Sequence, residues 1–364
     1  MPPAEHSVGL ASKICSVLSR GKWPAMWRSG CFLVMTGLLL PSLVICNAEA
    51  NDSIAEIALG GLVLRQSDQI SLDSEDLFIS QDEVRVDYRF TNNSDEDIEA
   101  LVAFPLPDQD FSDELSNLQD LRKQLNFRSV VEGKTVEYDV VTAALIGGMD
   151  VTASLARFGL APETPYNNEA FESAVSQLTP EELADATTQR LLENVGSAEQ
   201  PYYRPMWKIR TTVTRTQLFP AGKTISVRHS YKPIVGASVA GGLDAKFRND
   251  DWSQKHAQSF CIEESWFEAL DRAIKKRSTK ELPSPYYERW VGYVLSSGAN
   301  WKGPIAKFRL VVDKGKPENL VSFCGTDVRK ISSTQFEMKK NDFEPSEDLR
   351  VLIVEWIDPA EGVQ

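Results

Sequence analysis

Side chains able to do chemistry are few in this sequence and poorly spaced for it. The histidines are His6, His229 and His256, and the cysteines are Cys15, Cys31, Cys46, Cys261 and Cys324. No HExxH, no G-x-S-x-G elbow and no Walker loop occurs. Histidine-bound zinc, a serine triad and nucleotide hydrolysis therefore lack their usual supports. Neither Cys261 nor Cys324 belongs to a CxxC pair, so the zinc and redox-motif spacings are missing too. His229 lies in ISVRHSY (225–231), where alternation places it on one strand face with Ile225, Val227 and Tyr231; a structural role is expected. His256 lies in the polar stretch NDDWSQKH (249–256), which reads as a surface loop.

Acids are abundant, 52 Asp and Glu against 39 Lys and Arg, for a net charge of −13. Glycoside hydrolysis needs two carboxylates about 5–10 Å apart. Tyr202, Tyr203, Trp207, Tyr286, Tyr287, Trp290, Tyr293 and Trp301 would offer sugar-stacking faces if exposed, and core or interface packing if not. The adjacent acids Asp250-Asp251 and Glu263-Glu264 point in different directions along the chain and read as surface charge. Asp108, Asp110 and Asp113 make an oxygen-rich loop without the spacing of an EF-hand, and a solvated acidic loop is the expectation. No catalytic, cofactor or metal-binding residue is assigned.

The positions of these groups depend on what the chain keeps. The apolar run CFLVMTGLLLPSLVIC (31–46) has 16 residues, preceded by Arg28, interrupted by Pro41 and followed by Ala48-Glu49-Ala50. It is short of the ~20 residues that span a bilayer and carries the small-x-small pattern of a cleavage site. Residues 1–50 are expected to be a removed export signal, with translation starting at Met1 or Met26 and the mature chain at Asn51. Ile45 argues against lipid attachment at Cys46. Removal takes away Lys13, Arg20, Lys22, Arg28, Glu5 and Glu49 and leaves a net charge of −15. That balance argues against nucleic acid and anionic membrane surfaces as partners. Only Cys261 and Cys324 remain, and in an oxidising compartment they are expected to form a disulfide.

The elements expected to carry these residues are mostly strands. Segments 57–65, 70–79, 84–91 and 98–104 show β character, and Val84, Val86, Tyr88 and Phe90 recur at every second position, the mark of a sheet with one wet face. A hairpin follows over 127–141. The period then turns helical from 150 to about 197, with a capping-box start at Thr179-Pro180-Glu181-Glu182, a helical run through Val195 and a stop at Gly196. Strands return at 207–218 and 224–231. The glycine-rich stretch 236–243 reads as a domain joint. Beyond it stand one amphipathic helix, 262–276, and five further strands. The predicted class is mainly β (α+β): two antiparallel β-sandwich-like domains, 51–240 with its helical insertion and 241–364.

Residues YRFTNNS (88–94), IEALVAFPLP (98–107) and LFPAGKTISVRHSY (218–231) resemble the opening and closing strands of the vault/inter-alpha-trypsin (VIT) domain. The D-x-S-x-S metal site that often follows that domain is not found here. Over nearly all of 51–356 the chain is similar to a secreted bacterial family known only as a domain of unknown function, family 4424. That resemblance rests on NDS (51–53), GGL (60–62), SEDLFIS (74–80), Phe104-Pro105-Leu106-Pro107, and GANWKGP (298–304) with Trp301, Gly303 and Pro304, ahead of FRLVVDK (308–314). It implies a secreted protein and no activity. The function expected is that of an exported envelope or periplasmic protein that binds another envelope protein or stabilises an assembly. The alternative is a glycan-binding protein or carboxylate-dependent glycosidase.

Overall fold

The structure, a computed structural model, describes residues 52–58, 61–109, 124–164, 168–239 and 241–357. Every described residue belongs to one compact unit. The expected export signal lies outside the described residues.

The fold is mainly β. A six-stranded antiparallel sheet runs, edge to edge, β2 (Gly61–Arg65), β1 (Ser53–Ala58), β5 (Ile98–Pro105), β12 (Lys208–Phe219), β8 (Asp139–Ile146) and β9 (Met149–Asp150). An eight-stranded sheet runs β18 (Arg329–Lys330), β19 (Gln335–Phe343), β16 (Ile305–Asp313), β3 (Ile70–Ile79), β4 (Val84–Asn92), β13 (Thr224–Tyr231), β6 (Arg128–Val131) and β7 (Lys134–Val136). A four-stranded sheet runs β14 (Val235–Val239), β15 (Tyr286–Tyr293), β20 (Leu349–Trp356) and β17 (Leu320–Phe323).

One core joins all three sheets. Leu72, Leu77, Val86, Tyr88, Phe90 and Val227 of the large sheet meet Val102, Phe104 and Val213 of the six-stranded sheet and Val291, Tyr293, Val351 and Ile353 of the small one. Alternate residues of β15 and β20 point the other way. Tyr286, Leu352 and Val354 pack against Phe260 and Leu270, which belong to the end of α4 (Asp251–Ser259) and to α5 (Glu264–Arg277).

The joint expected near 236–243 is organised differently. Residues 235–239 form strand β14, paired with β15. Strand β16 lies hydrogen-bonded in parallel to β3, so chain from both sides of residue 240 shares one sheet. The glycines there serve close approach rather than flexibility: a Cβ on Gly236 would sit 1.8 Å from the Trp290 indole nitrogen.

The helical insertion holds α1 (Thr152–Ala156), α2 (Asn168–Ser176), α3 (Pro180–Thr188) and a separate hairpin, β10 (Leu192–Asn194) with β11 (Tyr203–Pro205). Helix α3 starts at the expected capping box: the Thr179 hydroxyl accepts from the Glu182 N–H at 3.2 Å, and Glu182 accepts from the Thr179 N–H at 2.8 Å. It ends earlier than expected. Arg190 takes a left-handed conformation (φ 58°), which diverts Leu191 and Leu192 into the hairpin instead of a further turn. Leu155, Phe158, Phe171, Ala186, Leu191 and Trp207 give the insertion its own apolar cluster. Thr179→Ala removes one half of the box and is expected to cost about 1 kcal/mol. The loss should be read as faster hydrogen exchange confined to α3; unchanged α3 protection would contradict the capping assignment.

Candidate functional site

The motif residues Phe104 and Trp301 converge on a buried polar centre in the main core. Asp52, 1% exposed, lies just before β1. Its two carboxylate oxygens are each 3.1 Å from His229 Nε2. The Arg215 guanidinium donates to Oδ2 at 3.1 Å and to Gln217 at 2.6 Å. The Trp301 indole donates to the Asp52 carbonyl at 2.5 Å. Asn300 donates to the Ser53 hydroxyl at 3.0 Å, which fixes the next residue as well.

Burial pushes the Asp52 carboxyl up, but the charges and hydrogen bonds of His229 and Arg215 outweigh it and hold the group below its ordinary value. The Tyr88 and Tyr293 hydroxyls, 2.9 Å apart, are driven far up by burial first; Glu75 adds to the rise in both, Tyr88 in Tyr293 and Asp52 in Tyr88. The His229 ring packs 5.1 Å from Phe104 and 5.2 Å from Phe127. Asp52, Arg215 and His229 are all buried. The centre ties β1, β12, β13 and the segment around Trp301 together within the core.

The remaining motif residues shape the same region. Leu106 donates its N–H to Thr211 at 2.8 Å after Pro105 pairs with Thr212, and Pro107 packs on Gly292, whose missing side chain makes room for it. Gly303 is left-handed (φ 72°) and lets Lys302 donate to Ile70 at 2.8 Å before Pro304 leads into β16. Asp52 and Arg215 escape a reading of the sequence alone, because only the fold brings them to His229. Periodicity does find His229 on its strand face.

His256 departs from expectation. It sits on helix α4, with Nε2 2.8 Å from the fully buried Glu288 carboxylate, and Trp252 stacks on it at 4.6 Å. Trp252, His256 and Phe260 recur at every fourth position along one side of the helix, running from Trp252, 54% exposed, to the buried Phe260. Asp250 and Glu263 are the N-cap residues of α4 and α5, with Asp251 and Glu264 in the first turns, where acids complement the helix dipole. Asp108 is held by Arg210 at 2.8 and 2.9 Å. Asp110 and Asp113 lie outside the described residues. Among the described residues no three of His, Cys, Asp and Glu gather as metal ligands. Cys261 and Cys324 form the expected disulfide, with an S–S length of 2.05 Å, between the turn after α4 and the residue following β17.

Of the aromatics considered as sugar platforms, Trp207, Tyr286, Tyr293 and Trp301 are buried and Tyr203 is half-buried. Tyr202 is 56% exposed. It stands on the rim of a groove of about 420 Å³ in the helical insertion, floored by Phe171, Val175, Leu178 and Leu183 and closed by Pro201 and Tyr203. Glu172 and Ser176 are its polar lining. Hairpin β10–β11 forms one wall because the Tyr202 carbonyl accepts from the Val195 N–H at 2.8 Å, which turns the tyrosine ring to the outside.

A family model described as a domain of unknown function, DUF4424, matches residues 50–352. The chain belongs to this family. The DUF4424 match takes in the Asp52 centre, the insertion with its groove and both cysteines. No curated protein matches the sequence. Among solved structures, the DUF4424 chain is similar to a crystal structure described as a "putative nutrient binding protein" from Legionella pneumophila subsp. pneumophila. The two are 13% identical, the likeness covers 79% of this chain and 68% of that one, and the TM-score is 0.38. A likeness of that size carries no argument about this chain. No helix among the described residues is long and apolar enough to cross a membrane.

Proposed function

We propose that this DUF4424 protein is exported, loses residues 1–50 and works as a non-enzymatic interaction module that binds another envelope protein through the groove of its helical insertion. The observation that carries the reading is the groove itself. It offers an apolar floor and an exposed Tyr202 on a subdomain whose own cluster is separate from the main core. A concave apolar site of about 300–1,000 Å³ with few polar groups is the usual form of a binding site. Tyrosine at its rim is a residue type favoured at interface hot spots. The disulfide and the cleavage-site pattern at Ala48-Glu49-Ala50 support export.

A photo-crosslinking amino acid in place of Tyr202, irradiated in living cells, tests the reading. The expected result is a discrete adduct at position 202 and none at Ile331, an exposed apolar residue away from the groove. No adduct at 202, or equal labelling at both positions, would overturn it.

A further inference from the structure

We infer that the segment received by the groove is cationic, with lysine or arginine flanking the apolar side chains that enter it. The inference rests on the docking reading above and adds the chemistry of the partner. Glu172 is part of the lining, and Glu169, on the same helix, is exposed. Glu181 and Glu199 are exposed close in sequence to Leu183 and Pro201, which also line the groove. None of these four carboxylates has an ion-pair partner among the described residues. Of the insertion's three arginines, Arg157 is held 3.7 Å from Asp185 and Arg204 2.5 Å from Glu193, and Arg190 makes no ion pair with these four among the described residues. Over residues 150–205 nine acids stand against three arginines.

An apolar floor with Glu172 in its lining, on a subdomain whose exposed acids outnumber its cations, repels phosphate and carboxylate and attracts cations. Exposed pairs of this kind add little to affinity one by one, so the apolar contacts hold the segment while the subdomain's acidic charge selects its sign and speeds its approach. Rising salt then slows association.

The test uses two short synthetic peptides with identical leucine positions, one filled with lysine and the other with glutamate, titrated against the purified protein. The protein is used as wild type, as Tyr202→Ala, and with Glu169, Glu172, Glu181 and Glu199 changed to Gln. All these substitutions are of exposed residues, and a thermal melt checks that each variant is folded. The lysine peptide is expected to bind wild type, about tenfold more weakly to either variant and more weakly as salt rises. Tighter binding of the glutamate peptide, still weakened by Tyr202→Ala, would overturn the charge assignment and leave the docking groove standing. Binding of neither peptide, or binding indifferent to Tyr202→Ala, would overturn both.

Discussion

Asp52→Ala is expected to destabilise the protein by about 3–5 kcal/mol, the cost of breaking a buried ion pair from one side. The carboxylate is the counter-charge of the buried Arg215 guanidinium and the hydrogen-bond partner of His229 Nε2. Without it Arg215 keeps only Gln217 among the described residues, and its Nε already lacks a partner. Set against a typical stability of about 5–15 kcal/mol, the loss is a large share of the total. Urea unfolding of Asp52→Ala, Arg215→Met and the double variant measures it. The double variant should lose less than the sum of the two singles, because removing both charges leaves neither stranded. A loss below about 1 kcal/mol for Asp52→Ala would show that the centre contributes little.

The same centre gives an acid dependence with a definite sign. The folded Asp52 carboxyl is held below its ordinary 3.8. Its contribution is therefore complete above the unfolded value and disappears as the pH falls through the lower folded value. Asp52→Asn should flatten the acid limb of the stability curve, a comparison that thermal melts across that range can make.

Reduction of Cys261–Cys324 is expected to cost about 4 kcal/mol. The bond closes a separation of 63 residues, and chain-entropy estimates for loops of that size are near this figure. Other ties remain across the same seam: Ser322 donates to the Phe260 carbonyl at 2.9 Å, and Trp266 donates to the Val321 carbonyl at 2.9 Å. The reduced protein should therefore stay folded at moderate temperature with a lowered midpoint. Melts with and without reductant, repeated on Cys261→Ser/Cys324→Ser, check this. A shift that persists in the double serine variant would mean that the reductant acts elsewhere.

Local rules recovered the elements well where one residue type recurs on one face. Strands β3, β4 and β13 follow the alternation of Leu77 and Ile79, Val84 through Phe90, and Ile225 through Tyr231. The start of α3 is legible because a capping box is complete within four residues. Helix α4 was hidden because its sequence is almost wholly polar, with only Trp252, His256 and Phe260 spaced at helical intervals. Glycines 236, 241 and 242 read as a flexible joint, yet Gly236 and Gly242 make room for the indoles of Trp290 and Trp252. The Asp52 centre has no local signal at all, since its partners lie 163 and 177 residues away. The groove is a product of the turn at Arg190, which helical periodicity through Val195 conceals.

The parallel pairing of β16 with β3 bears on the order in which the chain can assemble. Strand β3 is complete by Ile79, but its second neighbour is supplied only by Ile305–Asp313. A chain growing or being threaded from its N-terminus must therefore carry β3 with one row of amides and carbonyls open until those late residues arrive. Such an open edge is the kind of surface on which strands of other molecules add. Non-local parallel pairing is also slow to form. The interval before residue 305 emerges is thus the period in which this protein is most exposed to misassembly, and the time at which a holding chaperone would do the most good.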